Sequence, residues 1–368
     1  MKQIAIIGCG VVGATIAYEL SQIPDFKVTV FDRQPPAQAS TGAALGVLMG
    51  IISQKTKGRA WAMRQTSIRR YETLIPELEA VTGHSIPWNR HGILMLCFED
   101  DVPNQWQKLA DIRRMQGWQL QLWDTRQVQV RCPQIDSPRL TGGVYSPQDR
   151  QVDPTALTWA LVTAAEQQGV SFRFGEEIRR LGGVPGHEQE WVCQSLHVGT
   201  DSVAVDDVVI AAGLGSTALT QMTTRPVDIR PVLGQAMQVR LEQPLGDRSF
   251  QPVITGEDIH IVPLGEGNYW VGATVEFPTR EGEVIADDDR LQEVWQGATR
   301  LCPDLAKATV LKTWSGLRPR PSDRPAPVIE RLAGYRNVLV ATGHYRNGVL
   351  LAPATALAVR EAILGLAT

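Results

Sequence analysis

The chain has 368 residues, of which 43% are hydrophobic and 20% charged, and its formal net charge is −3 at pH 7. The length allows two folded domains, and the composition argues against disorder. The weak negative charge gives no indication of nucleic-acid or anionic-membrane binding. Five scattered cysteines without a C-x-x-C pair exclude a cysteine zinc knuckle and favour reduced thiols in a cytoplasmic protein.

The N-terminal segment predicts a strand, a glycine turn, a helix and a second strand. The apolar, β-branched run Ile4–Ile7 is typical of a buried parallel strand, Ala14–Leu20 has helical composition, and the strand Lys27–Phe31 ends at Asp32. The glycines between the first strand and the helix have the spacing G-x-G-x-x-G and are Gly8, Gly10 and Gly13. This order is the fingerprint of a dinucleotide-binding unit.

Each position of the glycine turn has a physical reason. Gly8 permits the tight turn, Gly10 lets the backbone approach a pyrophosphate, and Gly13 lets the helix pack closely on the strand. The helix N-terminus, which includes Val11 and Val12, presents N–H groups and a positive dipole end to phosphates. The alternative is a glycine-rich turn that binds nothing, and the two strands and the acid argue against it.

The acid at the end of the second strand indicates which nucleotide is bound. Asp32 can accept hydrogen bonds from an adenosine ribose, which disfavours a 2′-phosphate. Arg33 beside it weakens that inference. Small residues then dominate Ser40–Gly50, where they would let the backbone lie against a flat ring system. The alternative for this run is the tightly packed start of a helix.

The remaining patterns predict further helices and strands. Their order indicates that the chain leaves the nucleotide-binding unit and later returns to it. The predicted helices are Trp61–Leu78, Trp106–Gln116, Ala156–Gln168, Asp287–Cys302 and Ala354–Leu364. The main predicted strands are Ile93–Phe98, Trp118–Trp123, Gly142–Tyr145, Val170–Phe174, Asp207–Gly213, Gly234–Val239, Ile259–Pro263, Tyr269–Ala273, Val310–Trp314 and Val338–Ala341. We expect an α/β protein in which a Rossmann-type domain is interleaved with an α+β domain built on an antiparallel sheet.

The expected domain ranges follow from this order. Residues 1–84, 142–225 and 315–368 form the discontinuous nucleotide-binding domain. Residues 85–141 and 226–314 form the substrate-binding domain.

The motifs along the whole chain resemble those of FAD-dependent amino-acid oxidases. The motifs that carry the resemblance are the glycine turn with Asp32, Ser40–Gly46, Val152–Pro154, Val209–Gly213, Pro231–Gln235, Gly272–Thr274, Gly316–Pro319 and Gly343–Pro353. The chain resembles the D-amino acid oxidase / glycine oxidase superfamily. Within it, the sequence is most similar to the bacterial glycine oxidases associated with thiamine biosynthesis.

The resemblance implies FAD as the cofactor and assigns residues to it. The ADP half would be held by Gly8, Gly10, Val11, Val12, Gly13, Asp32 and Arg33. The pyrophosphate and flavin ring would be lined by Ser40, Thr41, Ala44, Gly46, Leu48, Ala211, Ala212 and Gly213, and the backbone of Ile178 would hold the adenine. The flavin's pyrimidine edge would lie near Arg318, His344, Arg346, Asn347, Gly348, Val349 and Leu350. A helix that begins near Asn347 would also direct its positive end at a reduced, negatively charged flavin.

The resemblance also implies a site for the substrate carboxylate. Arg318 matches the arginine that binds this group, and Arg346 would support it or the flavin. The strand motif Tyr-Ile-Val-Pro of glycine oxidases here begins with His260, which can donate a hydrogen bond or point elsewhere. Val47 and Val275 are expected to set the volume of the pocket.

The implied reaction is oxidative deamination of glycine or of a small D- or N-substituted amino acid. Hydride passes from Cα to flavin N5 without an acid–base residue, O2 reoxidises the flavin and yields H2O2, and the imine hydrolyses to an oxo acid and ammonia or an amine. We expect no metal, no nucleic acid, no membrane segment and a homo-oligomer in the cytoplasm. The alternatives are a dehydrogenase of the same fold that reduces a quinone or carrier, and a nucleotide-binding protein without redox activity. An NAD-dependent enzyme would need neither Ser40–Gly50 nor the C-terminal glycine motif.

Overall fold

The structure is a computed structural model that describes residues 1–99, 103–186, 190–221, 223–279 and 282–366. Its helices are α1 Val11–Ser21, α2 Gly58–Thr82, α3 Pro103–Met115, α4 Thr125–Arg131, α5 Pro154–Gln167, α6 Ser216–Thr220, α7 Asp288–Leu301 and α8 Gly348–Leu364. Its first ten strands are β1 Lys2–Ile7, β2 Phe26–Asp32, β3 Val47–Leu48, β4 Trp88–Asn89, β5 Ile93–Phe98, β6 Gln121–Asp124, β7 Leu140–Ser146, β8 Arg150–Val152, β9 Ser171–Phe174 and β10 Ile178–Pro185. The others are β11 Trp191–Val198, β12 Asp201–Ala204, β13 Asp207–Ile210, β14 Ile229–Arg240, β15 Val253–Gly256, β16 Ile259–Gly265, β17 Asn268–Gly272, β18 Thr309–Pro321, β19 Val328–Arg331 and β20 Val338–Thr342.

A six-stranded sheet has the order β19-β20-β13-β1-β2-β9. All its pairs are parallel except β19 with β20. Helices α1, α2, α5 and α8 cover one face, where a large apolar core includes the fully buried Ile6 and Val209. The three-stranded sheet β10-β11-β12 contributes to the core on the other face. Burial on both faces explains the nearly continuous apolar sequence of the parallel strands.

An eight-stranded sheet has the order β18-β14-β17-β16-β15-β5-β7-β6. Its pairs are antiparallel except that β15 runs parallel to β5. A separate apolar core packs α4 and α7 against this sheet. The fold class predicted from the sequence, an α/β unit interleaved with a sheet-based second unit, is therefore confirmed.

Two strands of the eight-stranded sheet cross the domain ranges given above. β7 pairs with β5 and β6, although 142–225 was assigned to the nucleotide-binding domain. β18 continues from Thr309 to Pro321, past the boundary at residue 315, because it pairs with β14 along its whole length. The pairing of β7 and β18 shifts the boundaries at residues 142 and 315, and composition does not reveal such pairing. The domain ranges otherwise remain a prediction.

The C-terminal helix begins next to Asn347, where a helix start was expected to face the reduced flavin, and not at Ala354 as the expected range Ala354–Leu364 has it. α8 starts at Gly348 instead of Ala354 and contains Pro353. Proline has no N–H, so it cannot donate to the carbonyl four residues before it. Here the hydroxyl of Tyr71 donates to that carbonyl, Val349 O, at 2.5 Å. A long-range hydrogen bond thus replaces the helical one. The local rule that proline marks the boundary of a helix therefore placed the start of Ala354–Leu364 too late.

Among the described residues, one helical stretch, Tyr345–Leu364, is long and apolar enough to cross a membrane by length and composition. This differs from the expectation of no such segment. Of the 18-residue apolar window within this stretch, 56% is buried inside the fold, and α8 packs against α1 and α2. Its apolar sequence is accounted for by this interior position.

Candidate active site

A cavity of ≈ 600 Å³ lies outside the carboxyl ends of the central parallel strands. Asp32 at the end of β2 and Thr342 at the end of β20 both line it. From there the cavity reaches the eight-stranded sheet, where Ala236 and His260 form part of the wall. Ligands of open α/β sheets bind in this crevice. We call the region around Asp32 the cofactor end and the region around His260 the substrate end.

The glycine turn has the geometry that its sequence predicts. Gly8 has φ +106°, and a Cβ there would lie 2.5 Å from the carbonyl oxygen of Ala211. A Cβ on Gly13 would lie 1.9 Å from the Gly8 carbonyl oxygen, so only glycine allows α1 to pack on β1. At Gly10 the nearest atom is Thr41 Oγ1 at 3.1 Å, and the position lines the cavity. The fold therefore requires Gly8 and Gly13, and Gly10 leaves room for a ligand.

Backbone groups around Asp32 and the start of α1 are already organised. Asp32 Oδ2 accepts from the Cys9 N–H at 2.6 Å and Oδ1 from the Gln34 N–H at 2.9 Å. Thr41 Oγ1 accepts from the Val11 N–H at 3.0 Å. A carboxylate has about four acceptor positions, so Asp32 keeps capacity for a ribose.

The small-residue run is a series of turns that ends in β3, so its alternative as a helix start is wrong. The Ser40 hydroxyl donates to Leu317 O at 2.6 Å, and Trp314 Nε1 donates to Ala43 O at 3.1 Å. Both partners lie on β18. The run is thereby fixed against the eight-stranded sheet, and β3 pairs with β8.

Most of the residues predicted for the cofactor line the cavity. They are Gly8, Gly10, Val11, Val12, Asp32, Arg33, Ser40, Thr41, Ala44, Gly46, Ile178, Ala211, Ala212, Gly213, Arg318, His344, Arg346, Gly348, Val349 and Leu350. Gly13, Leu48 and Asn347 are not lining residues: Gly13 packs on Gly8, and Leu48 is fully buried. The contacts of all these residues with a ligand remain predictions.

The predicted substrate residues are brought together with one exception. Val47, His260, Arg318 and Arg346 line the cavity. Val275 does not, and its carbonyl accepts from Arg290 Nη1 at 3.4 Å. Val275 therefore does not form part of the cavity wall, contrary to the expectation from the sequence.

Arg318 is partly buried and lies flat on a glycine. Three guanidinium atoms would lie 2.2–2.3 Å from a Cβ on Gly234, which lies on β14 two residues beyond Val232, the register partner of Arg318. Arg318 Nη1 donates to Leu233 O at 3.0 Å. No acidic side chain in the described part of the chain forms a salt bridge with Arg318. Burial, followed by the charge of Arg346, lowers the pKa of its guanidinium, which a bound anion would reverse.

His260 is an unsatisfied polar group at the substrate end. Its Nδ1 is buried and has no hydrogen-bond partner among the described residues. Burial, and then the charges of Arg346 and Arg318, lower its pKa to about 4, and Asp258 only partly opposes them. The imidazole is therefore neutral near pH 7, with one N–H that can donate and one nitrogen that can accept.

His344 has a different environment. It is 3% exposed, and its Nε2 lies 2.9 Å from Thr355 Oγ1 on α8. Burial lowers its pKa to about 4. A neutral histidine with a fixed internal partner is suited to positioning the start of α8.

The substrate end also contains residues that the sequence analysis did not select: Leu45, Gly234, Ala236, Ala273 and Tyr345. Gly234 and Ala273 lie inside motifs that carry the family resemblance, which was the available signal. Tyr345 has φ +54°, a left-handed conformation uncommon outside glycine. No group of three or more possible metal ligands occurs in the described residues.

A sequence model of the DAO family, described as FAD dependent oxidoreductase, matches residues 3–362. The chain belongs to this family. The bifunctional protein ThiO/ThiG of Trichormus variabilis is 30% identical over 99% of the chain, and the chain spans about half of that relative's length (53%). The glycine oxidase of Geobacillus kaustophilus is 28% identical over 98% of the chain and 92% of the relative.

Solved structures agree with this assignment. A crystal structure of glycine oxidase from Geobacillus kaustophilus matches with a TM-score of 0.87 and 26% identity, covering 100% of this chain and 96% of that one. Glycine oxidase from Bacillus cereus matches with a TM-score of 0.86 and 25% identity, covering 99% and 95%. By sequence and by fold, the chain therefore belongs to a family of FAD-dependent oxidoreductases.

The residues present fit FAD. Gly8 and Gly13 close the turn so that α1 directs its N-terminus towards the cavity, where positive dipole charge favours a pyrophosphate. α8, which begins at Gly348, directs a second N-terminus towards the cavity, because Gly348 and Val349 line it. The cavity has charged groups around Asp32 that suit a nucleotide, and apolar side chains such as Leu45, Val47 and Ala236 near the eight-stranded sheet that suit a flat ring system.

Proposed function

We propose that this protein oxidises glycine or a small D- or N-substituted amino acid. The observation that carries the proposal is Arg318, a cation without an acidic partner in the described residues, packed on Gly234 beside the unsatisfied Nδ1 of His260. A planar guanidinium suits a carboxylate, and a bound carboxylate would give Arg318 the anionic partner that it lacks. The similarity to glycine oxidases supports a small amino acid as the owner of that carboxylate.

The chain's own residues bind and orient this substrate. Bound FAD supplies the chemistry by accepting a hydride from Cα at N5. Arg318 would hold the carboxylate, and the His260 N–H would donate to it. The walls formed by Leu45, Val47 and Ala273 would exclude water and leave space for only a small side chain. Because the pKa of His260 is about 4, it is a weak base near pH 7, and the amine must bind in its neutral form without help from this residue.

Reoxidation by O2 with release of H2O2, and hydrolysis of the imine to an oxo acid and ammonia or an amine, complete the proposed reaction. A dehydrogenase that passes electrons to a quinone or carrier is the alternative within the same fold. The similarity to ThiO/ThiG proteins supports a role in thiamine biosynthesis. The cytoplasmic location and the homo-oligomer remain predictions.

The test is anaerobic mixing of the FAD-loaded protein with glycine, sarcosine and small D-amino acids, followed by flavin absorbance. We expect bleaching by at least one of them and rapid recovery in air with stoichiometric peroxide. Slow recovery in air and fast recovery with a quinone would favour the dehydrogenase. A flavin that no amino acid bleaches would contradict the proposal and favour a protein without redox activity on amines.

A further inference from the structure

The charged side chains that line the cavity are divided between its two ends. The cofactor end has charges of both signs, from Asp32, Arg33, Glu176, Glu177 and Arg179. At the substrate end, the charged lining residues in the described part of the chain are Arg318 and Arg346. An anionic substrate would therefore meet two cations, although a single carboxylate needs only one.

The second cation already has an acidic partner. Arg346 Nη2 lies 3.2 Å from Asp258 Oδ1, and the arginine side chain is 37% exposed. Arg346 is also close enough to lower the pKa values of both His260 and Arg318. Asp258 thus neutralises Arg346 on its outer side, and Arg318 remains the cation without an acid.

Asp258 is held in this position by the turn between β15 and β16. Glu257 and Asp258 form the turn with φ +49° and +62°, the conformation of a tight two-residue hairpin. Glu257 forms an ion pair with Arg139 at 2.7 Å. The two neighbouring acids therefore have different arginine partners, and only the partner of Asp258 lines the cavity.

We propose that Asp258 is a specificity-determining residue that restricts the substrate to amines with a single acidic group. This inference rests on the proposed function, because it concerns the same carboxylate site. A second acidic group on the substrate, carried on nitrogen or on the side chain, would need Arg346 as its partner. Asp258 occupies that arginine and repels a second anion across the same guanidinium.

The other basic groups nearby do not replace Arg346. Arg320 is not a lining residue, and its guanidinium lies over the rings of Phe277 at 5.2 Å and Tyr345 at 5.7 Å. His260 is neutral near pH 7 and contributes no charge. The balance between a monoacid and a diacid therefore depends on whether Arg346 is neutralised.

The test compares Asp258→Asn with Glu257→Gln in the FAD-loaded protein. Both changes remove one negative charge from the same turn, and asparagine tolerates the left-handed backbone of position 258. The substrates are sarcosine and iminodiacetate, which differ only by a second carboxylate. We expect Asp258→Asn to raise the ratio of kcat/KM for iminodiacetate over sarcosine about fivefold, the size that a partly exposed charge pair supports. Glu257→Gln should leave the ratio unchanged.

A binding measurement separates this inference from the proposed reaction. Acetate and malonate are not oxidised, and their binding can be followed by perturbation of the flavin absorbance. Asp258→Asn should strengthen malonate binding relative to acetate by a similar factor, and the gain should shrink at high salt. Equal selectivity in Asp258→Asn and Glu257→Gln would overturn the role of Asp258. Failure of wild type to oxidise any amine would contradict the proposed function but leave the binding test intact.

Discussion

The two ends of the cavity are built in different ways. At the cofactor end, the turn from Gly8 to Gly13 is shaped by backbone atoms, and its N–H groups donate to Asp32 and Thr41 in the N-terminal part of the chain, although the backbone that Gly8 approaches belongs to Ala211, just after β13. At the substrate end, the groups are side chains from widely separated segments, such as His260 and Arg318. The first kind of site is encoded locally, whereas the second depends on how distant strands pair.

The two ends also differ in how completely their polar groups are satisfied. Asp32 at the cofactor end accepts two backbone hydrogen bonds. His260 Nδ1 has no partner among the described residues, and the pKa of Arg318 is lowered mainly by burial. Unpaired polar groups destabilise a fold, so a site that keeps them is organised for a ligand. The proposed carboxylate would supply what the substrate end lacks.

The largest expected effect is a loss of stability at Gly13 that should be much smaller at Gly10, the other glycine compared in this turn. Gly13→Ala places a Cβ 1.9 Å from the Gly8 carbonyl oxygen, and backbone must move to accept it. We expect a loss of about 3 kcal/mol or more in the free energy of unfolding, together with loss of bound flavin. Urea unfolding of the apoprotein and the flavin content of purified protein are the measurements.

Gly10→Ala is the matched control for this change. Its Cβ would meet only Thr41 Oγ1, at 3.1 Å, so the apoprotein should lose less than about 1 kcal/mol. Flavin affinity should still fall, because the methyl group occupies the space that a pyrophosphate needs. Equal stability losses at the two positions would mean that the turn is less rigid than its geometry indicates.

The next prediction compares two buried histidines, His260 at the substrate end and His344 beside the start of α8. Burial lowers the pKa of His260 and of His344 from 6.5 to about 4, so the folded protein excludes protons that the unfolded chain binds. The free energy of unfolding should therefore be highest above pH 6.5 and fall as the pH approaches 4, by about 3 kcal/mol per histidine. His260→Gln and His344→Gln should each reduce by about one the number of protons taken up on unfolding, which is measured by the slope of the free energy of unfolding against pH.

The two histidine substitutions should also differ in how much they lower the free energy of unfolding at pH 7. His344→Gln should cost about 1 kcal/mol, because the hydrogen bond with Thr355 is lost. His260→Gln should cost less, since Nδ1 has no partner to lose. Urea unfolding at pH 7 and pH 5, at fixed FAD concentration, measures both effects, with the exposed His84→Gln as the surface control. A pH slope that survives both substitutions would assign the proton uptake to other groups.

This difference between the ends explains what the sequence could predict. Gly8, Gly13 and Asp32 have roles that follow from spacing and backbone sterics, and the structure gives the turn the expected geometry. The wall around Arg318 could not be derived in this way, because Gly234 becomes its support only through the pairing of β14 with β18. Val275 was assigned to that wall by motif position, and the register of the chain after β17 leaves it outside the cavity.

The start of α8 and the ion pair of Asp258 have the same origin. Pro353 predicts the end or start of a helix from local rules, and only the distant hydroxyl of Tyr71 makes an interior position acceptable. Asp258 is separated in sequence from Arg346, and no local pattern links them. Long-range partners of single side chains are therefore the part of this site that a single sequence does not reveal.

The last prediction concerns the side chain that would bind the substrate directly. Arg318→Ala should lower kcat/KM about thirtyfold, mainly through KM, because one charge-assisted pair is lost while the flavin stays bound. Gly234→Ala should have a weaker effect in the same direction. Its Cβ would overlap the guanidinium at 2.2 Å and displace Arg318 without removing its charge. Steady-state kinetics with the preferred amino acid, together with the flavin spectrum, would measure both. If Gly234→Ala left KM unchanged, the packing of Arg318 against Gly234 of β14 would not control carboxylate binding. If Arg318→Ala left KM unchanged, the carboxylate would have to bind elsewhere at the substrate end, and Arg346 would be the remaining cation.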